Sequence, residues 1–307
     1  MLASLIPFFL VARIAVDESA WEHGPEYVFD VEWNSTRHSS SPDGIHLTES
    51  ATTKLYCRPT GSDGLNCHLE VNKELDMMRK NKVDIPEEDK RDIAADPFEI
   101  KFNDRGVDHM IVNDQIHVYE LNNMKLIVER FSIGTDLNGL PDGTYDIIEN
   151  STIGCCNGTI TINHYPSKRM MNKIKNDRYE LESLPQLNKV PSETIMIQKT
   201  IKLDNCNNYA CFYFGSYSKK VIEPDLQSHL ASVSSRIFVS DYQFVSTMIR
   251  TGTFGSSDKK SVVEISQHIT VSLQDIRAAK GDLPKVPNAA KTSILANAEM
   301  ERISPEE

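Results

Sequence analysis

Six cysteines, nine histidines and three Asn-x-Ser/Thr triplets are the residues of this 307-residue chain whose types and spacing could do chemistry. The cysteines form two groups, Cys57 and Cys67, then Cys155, Cys156, Cys206 and Cys211. An even count suits disulfides, which persist in oxidising compartments. Cys57 and Cys67 stand around Pro59-Thr60-Gly61-Ser62-Asp63-Gly64, whose composition is that of a hairpin connection, so a bridge there clamps a hairpin. Cys155 and Cys156 do not readily bond each other, because a vicinal bridge strains the peptide between them. Each is expected to bond one of Cys206 and Cys211, in either pairing. One such bridge closes a loop of about 50 residues, worth on the order of 3–4 kcal/mol through the unfolded state. Cys206-x4-Cys211 also has the spacing of a pair of zinc ligands. His23, His38, His46 and His68 are close in sequence, but in expected loops and strands, and no two histidines stand at i, i+4 on a helical pattern. They make a poor zinc set, and neither metal nor cofactor is expected. Asn34, Asn150 and Asn157 head the three triplets and are candidate glycan acceptors in the secretory pathway.

Catalytic motifs are missing. The chain has no G-x-S-x-G, no phosphate-binding G-x-x-x-x-G-K-[ST], no H-E-x-x-H and no G-x-G-x-x-G. Gly252-Thr253-Phe254-Gly255-Ser256-Ser257 is a glycine-serine turn that lacks the phosphate-loop lysine. A binding or carrying protein is expected rather than an enzyme. The formal charge is −11, a field that repels phosphate and argues against nucleic acid or anionic membrane as partners.

The elements that must position these residues read mostly as strands. Residues 2–11, LASLIPFFLV, are an apolar run interrupted by Arg13. The run is too short to span a bilayer, for which about 20 residues are needed. Its length fits a secretory signal peptide over residues 1–16, cleaved after Ala15 or near Val16, and also fits a buried first strand. Tyr27–Glu32, Lys54–Cys57 and Cys67–Val71 read as strands, and Phe98–Phe102 with Val107–Val112 as a hairpin around Asn103-Asp104-Arg105-Gly106. Residues 72–96 suggest a short helix and an exposed linker. Leu121, Met124, Ile127, Val128 and Phe131 then fall on one face of a helix, which should leave Lys125 facing outward. Residues 166–193 are polar, with Pro185 and Pro191, and read as a surface insertion. Further strands follow, ending in Val262–Leu273, where Ile265, Ile269, Val271 and Leu273 are spaced by even numbers, as one sheet face requires. Residues 275–307 have no sustained apolar face and read as a flexible tail. The expected divisions are thus 1–16, 17–274 and 275–307.

Several blocks, in order, resemble the vitellogenin or large lipid transfer protein family. Trp21-Glu22-His23-Gly24-Pro25-Glu26-Tyr27-Val28-Phe29 is similar to its opening W-x-x-G-x-x-Y-x-Y/F. FEIKFNDRGVDHMIV resembles the hairpin before its central helix, and ELNNMKLIVERF that helix with its N-x-K core. The segment around Gly154-Cys155-Cys156 resembles its G-x-C block. QKTIKLDNC over residues 198–206, followed by Phe212-Tyr213-Phe214-Gly215, resembles the K-T-x-x-L-x-N-C and H-F-G stretch. The resemblance covers about residues 20–274, the family's N-terminal sheet domain. It implies a mainly β fold, an antiparallel barrel-like sheet wrapped around a central α-helix. It also implies a secreted protein associated with lipid transport, and a receptor of the low-density-lipoprotein type or lipid as partner. A lysine of the K-T-x-x-L-x-N-C strand is implicated in receptor binding, and Lys199 matches it. The second lysine of the vertebrate pattern falls on Ile201, with Lys202 one residue later, on the opposite strand face from Lys199. The plain reading of Lys199 is a solvated strand residue. Two functions remain open: a secreted vitellogenin-like protein that recognises a receptor or surface, and a lipid carrier or nutrient reservoir that uses the barrel or a partner as container.

Overall fold

A computed structural model describes residues 2–6, 10–14, 21–39, 46–70, 96–166, 179–184, 187–207, 226–256 and 262–303. The expected helix and linker at 72–96, and Cys211 with the 212–215 block, lie outside these residues apart from Asp96.

The fold is mainly antiparallel β. Strands β1 (Leu2–Ile6), β2 (Leu10–Ile14), β3 (Pro25–Ser39), β4 (His46–Thr60), β5 (Gly64–Leu69), β6 (Phe98–Asn103) and β7 (Gly106–Asn113) precede a helix, α1 (Val118–Val128), which ends in a 3-10 turn over Glu129–Phe131. Then come β8 (Gly143–Ser151), β9 (Gly154–Pro166), β10 (Tyr179–Ser183), β11 (Glu193–Asn207), β12 (Leu226–Val239), β13 (Phe244–Ser256), β14 (Val262–Ala278), β15 (Ala289–Ser293) and β16 (Glu301–Arg302). Thirteen strands form one sheet in the order β16-β15-β7-β6-β5-β4-β3-β14-β13-β12-β11-β9-β8, and β1-β2-β10 form a second. Among the described residues the large sheet is open, with β16 and β8 as its edges, so strand pairing does not close the expected barrel. Its two ends meet indirectly: Ala296 N, beyond β15, donates to Thr152 O in the turn between β8 and β9, at 2.9 Å.

Period-two alternation places one side of the long strands in the core. The main core joins Phe29 and Val31, Ile100 and Phe102, Ile195 and Ile197 to Leu121, Met124, Ile127, Val128 and Phe131 of the helical segment. Phe131 stacks on Phe244, with centroids 6.0 Å apart, and meets Phe29 edge-on at 5.1 Å, fixing the helical turn to β13 and β3. Such aromatic pairs contribute about 0.5–1.5 kcal/mol beyond area burial. Leu126, on the other side of α1, enters a second apolar cluster with Ile153, Leu230, Val233, Met248, Ile265 and Ile269, against which Trp33, Ile201, Leu203 and Val263 pack half-buried. The helix is therefore buried on both sides, and the apolar stripe describes only one of them.

Three expectations are corrected. Lys125 does not face outward: its residue is fully buried, because the tail covers it. Residues 275–307 are not a flexible tail as far as residue 303. Ala290, Thr292, Ile294 and Ala296 alternate into the core as buried residues, and β15 pairs with β7 from Ala289↔Asn113 to Ser293↔His109. Residues 166–193 are not wholly a surface insertion, since β10 pairs with β2 and buries Tyr179 and Leu181. In the apolar N-terminal run, Leu10, Ala12 and Ile14 alternate inward on β2, which is the strand that this run also allowed.

Candidate functional site

Inside the sheet, where α1 gives way to the 3-10 turn, charged side chains collect in the core. Glu129, Arg130, Glu149, Lys199 and Arg250 are all buried. Strand parity explains three of them. On β13, Arg250 follows Phe244, Ser246 and Met248 at even spacing, so it points inward while Ile249 points outward. On β11, Lys199 has the parity of Ile195 and Ile197, and on β8 Glu149 has that of Ile147.

A buried charge is tolerated only when paired and hydrogen-bonded. The Lys199 ammonium pairs with the Glu149 carboxylate and donates to Ser132 O at 3.0 Å. The Thr152 hydroxyl donates to Glu129 at 2.7 Å, and Glu129 pairs with Arg130 at 3.2 Å. Arg130 Nε donates back to Leu126 O at 3.2 Å, and Arg250 Nε to Gln267 Oε1 at 2.6 Å. Burial raises the Glu149 carboxyl, partly opposed by Lys199. Burial lowers Arg130, against the pull of Glu129 and Glu149, and lowers Arg250 to about 9, still a cation at neutral pH. Gly134 makes room for this pair. It sits at φ +88°, and a Cβ there would lie 2.3 Å from the Glu149 carboxyl carbon.

The N-x-K core of the helix faces the tail. Asn122 Nδ2 donates to Asn297 Oδ1 at 2.8 Å, and Asn297 N donates to Asn122 Oδ1 at 2.9 Å. Lys125 donates to Thr292 Oγ1 at 3.0 Å and to Leu295 O at 2.8 Å, with no carboxylate among these partners. Burial lowers its ammonium to about 8. These residues clamp the chain end over the helix.

The residues singled out in the sequence take different places. Lys199 is 3% exposed and ion-paired inside, so it is neither a solvated strand residue nor a surface cation open to a receptor. Lys202, three residues on, is exposed and pairs with the exposed Asp146 at 2.8 Å. The structure therefore separates the two candidate lysines by face. Cys57 and Cys67 are bonded across β4 and β5, directly opposite in register. Cys156 is bonded to Cys206 across β9 and β11. Cys155, of opposite parity on β9, is half-buried and, among the described residues, has no disulfide partner, while Cys211 lies outside them. Asn34, Asn150 and Asn157 are exposed strand residues. Among the described residues no group of three or more His, Cys, Asp or Glu side chains could hold a metal.

Sequence reasoning missed Glu129, Arg130, Glu149, Arg250 and Gln267. The signal was present for three of them: Gln267 shares the parity of Ile265 and Ile269, Arg250 that of Met248, and Glu149 that of Ile147.

An open antiparallel sheet packed on a helix with a charged C-terminal turn defines a class, and comparison with known proteins identifies it. The vitellogenin N-terminal domain profile matches residues 51–281. That is most of the chain, which belongs to this family. No curated protein is matched by sequence. Among solved structures, one described as showing lipid-protein interactions in lipovitellin superimposes with a TM-score of 0.53 at 11% identity. The match covers 94% of this chain and 28% of that one. At this identity the likeness concerns the fold, and the chain spans little more than a quarter of that relative.

Proposed function

We propose that this chain is a secreted, non-catalytic recognition domain of the lipid-transport family, acting through the outer face of its large sheet. The observation that carries this reading is the occupied inner face. Both sides of α1 are buried, and five charged side chains lie with it in the core. Placing those charges against hydrocarbon costs several kcal/mol per ion, so lipid is a poor occupant of that position. The family membership, two disulfides and three exposed Asn-x-Ser/Thr sites support secretion and glycosylation. The receptor expected from the resemblance remains a candidate partner, with Lys202 replacing Lys199 as the available ammonium. Its pair with Asp146 is exposed and worth at most about 1 kcal/mol, so a receptor carboxylate can take the place of Asp146. Binding of the secreted chain to immobilised low-density-lipoprotein-type receptor repeats tests this. Lys202→Glu should weaken the binding and Lys202→Arg largely preserve it. Equal binding by parent and Lys202→Glu would overturn the assignment of Lys202.

A second reading, the lipid carrier, is favoured by one feature. Trp33, Ile201, Leu203 and Val263 stay half-exposed around the second apolar cluster, beyond the main core. Native mass spectrometry of protein secreted from its own source separates the readings, because stoichiometric co-purifying lipid would favour the carrier.

A further inference from the structure

Two histidines on the sheet are used by neither the buried charges nor the recognition reading. His38, near the end of β3, and His46, at the start of β4, stand directly opposite each other in antiparallel register. Both are exposed. Their rings lie 5.7 Å apart between centroids, inclined at 68°. Two imidazoles that ligate one ion through nitrogens at about 2.0–2.1 Å, with a roughly tetrahedral opening, place their centroids ~5–6 Å apart. The rings thus already stand at chelating separation, and rotation of the edge-on rings about their side-chain bonds would turn a nitrogen of each onto one ion.

The same cross-strand row continues on the far side of β3. Glu264 of β14 is the register partner of His38 and is exposed. Residues directly opposite in an antiparallel pair have Cβ atoms about 4.5–5.5 Å apart, within reach of a glutamate. A carboxylate beside a ligating histidine accepts the hydrogen of the other ring nitrogen, which fixes the tautomer and raises the basicity of the ligand. Other described histidines face carboxylates differently: His109 binds Asp108 and His164 binds Asp142, each through Nδ1 and without a second histidine across the ladder.

We propose that His38 and His46 form a two-histidine chelate for a divalent transition ion of the borderline class, Zn²⁺ or Cu²⁺, with Glu264 as a positioning residue for His38 and water completing the coordination. Imidazole donors select such ions over Mg²⁺ and Ca²⁺, which prefer oxygen. The bound ion would tie β3 to β4, and since the unfolded chain does not hold the two rings together, binding would also stabilise the fold.

The test uses the full chain stripped of metal with a chelator. Cu²⁺ at one equivalent per chain, read by electron paramagnetic resonance, should show coordination by two imidazole nitrogens. His38→Asn and His46→Asn should each reduce this to one nitrogen and weaken Zn²⁺ binding in calorimetry by about tenfold or more. Glu264→Gln should weaken binding several-fold and leave two nitrogens in the Cu²⁺ spectrum, whereas His268→Asn, four residues along β14, should leave both readouts unchanged. Because both rings are exposed, the variants should melt like the parent in chelator, which separates loss of ligand from loss of fold. The proposal is overturned if the parent shows no saturable binding below about millimolar ion, or if either single histidine variant keeps the parent's affinity and spectrum.

Discussion

Lys125 and Lys199 show why residue type alone misleads in this chain. Both are long cations on segments with an apparent polar face, and both lie inside. Lys125 has only neutral acceptors, Thr292 Oγ1 and Leu295 O, so burial lowers its pKa from 10.5 to about 8. The sign of the consequence is fixed. Below pH 8 the folded chain carries the full cost of a buried ammonium. Between about 8 and 10.5 the unfolded chain keeps a proton that the folded chain has released, so this residue makes stability rise with pH, by up to ~3 kcal/mol. Burial raises the Tyr27 hydroxyl, which acts in the opposite sense at the alkaline end. The useful measurement is therefore the difference between parent and Lys125→Met in denaturant melts from pH 7 to 10, and that difference should shrink as pH rises. Lys199 differs because a carboxylate meets it. Lys199→Met leaves the buried Glu149 without its ion-pair partner and should cost about 3–5 kcal/mol, whereas Lys199→Met with Glu149→Met should recover most of the loss. A double-mutant cycle of denaturation midpoints would show this as strong coupling. Simple additivity of the two single losses would mean that the pair is not formed.

At the scale of elements, the sequence is clearest where period and turn chemistry agree. FEIKF and VDHMIV alternate strictly around a turn that ends in Gly106, and β6 and β7 form that hairpin. The Cys57–Cys67 clamp was legible for the same reason, since turn composition placed the two cysteines opposite each other. The central helix was legible as an element and only half legible as a surface. Its apolar stripe packs as the spacing requires, but the period of 3.6 carries no information about a polar face that another segment covers. That segment, residues 289–297, was missed because three of its four inward positions, Ala290, Thr292 and Ala296, are small side chains with a weak apolar signal, and Ile294 stands alone among them. Its role is testable. Truncation before Ala289 removes a strand from beside β7 and exposes Lys125 and Asn122, so the shortened chain should lose secreted yield and melt at lower temperature. The bridge Cys156–Cys206, with a sequence separation of 50, should contribute about 4 kcal/mol through the unfolded state. Paired Cys156→Ala and Cys206→Ala should lower the melting temperature accordingly, and non-reducing peptide mapping should recover this linkage together with Cys57–Cys67.

For the molecule as a whole, the fold class and the family were within reach of the sequence, because both rest on local patterns repeated in order. The charged interior was not. It depends on which strands become neighbours: Arg250 and Gln267 come from the consecutive strands β13 and β14, whereas Glu149 and Lys199 come from β8 and β11, far from them in the chain. Parity could have assigned each to the inner side of its own strand, but only the strand order brings them to the end of one helix. That assembly is the basis for reading the inner face as occupied by the chain itself. Amide hydrogen exchange on the secreted protein, before and after lipid extraction, tests this most directly. The account predicts that the helical amides from Leu121 to Phe131 are among the slowest to exchange, that they open only with global unfolding, and that extraction leaves their rates unchanged. Fast exchange along this segment, or protection that vanishes when lipid is removed, would mean that the helix borders a lipid-filled space, and would contradict the account.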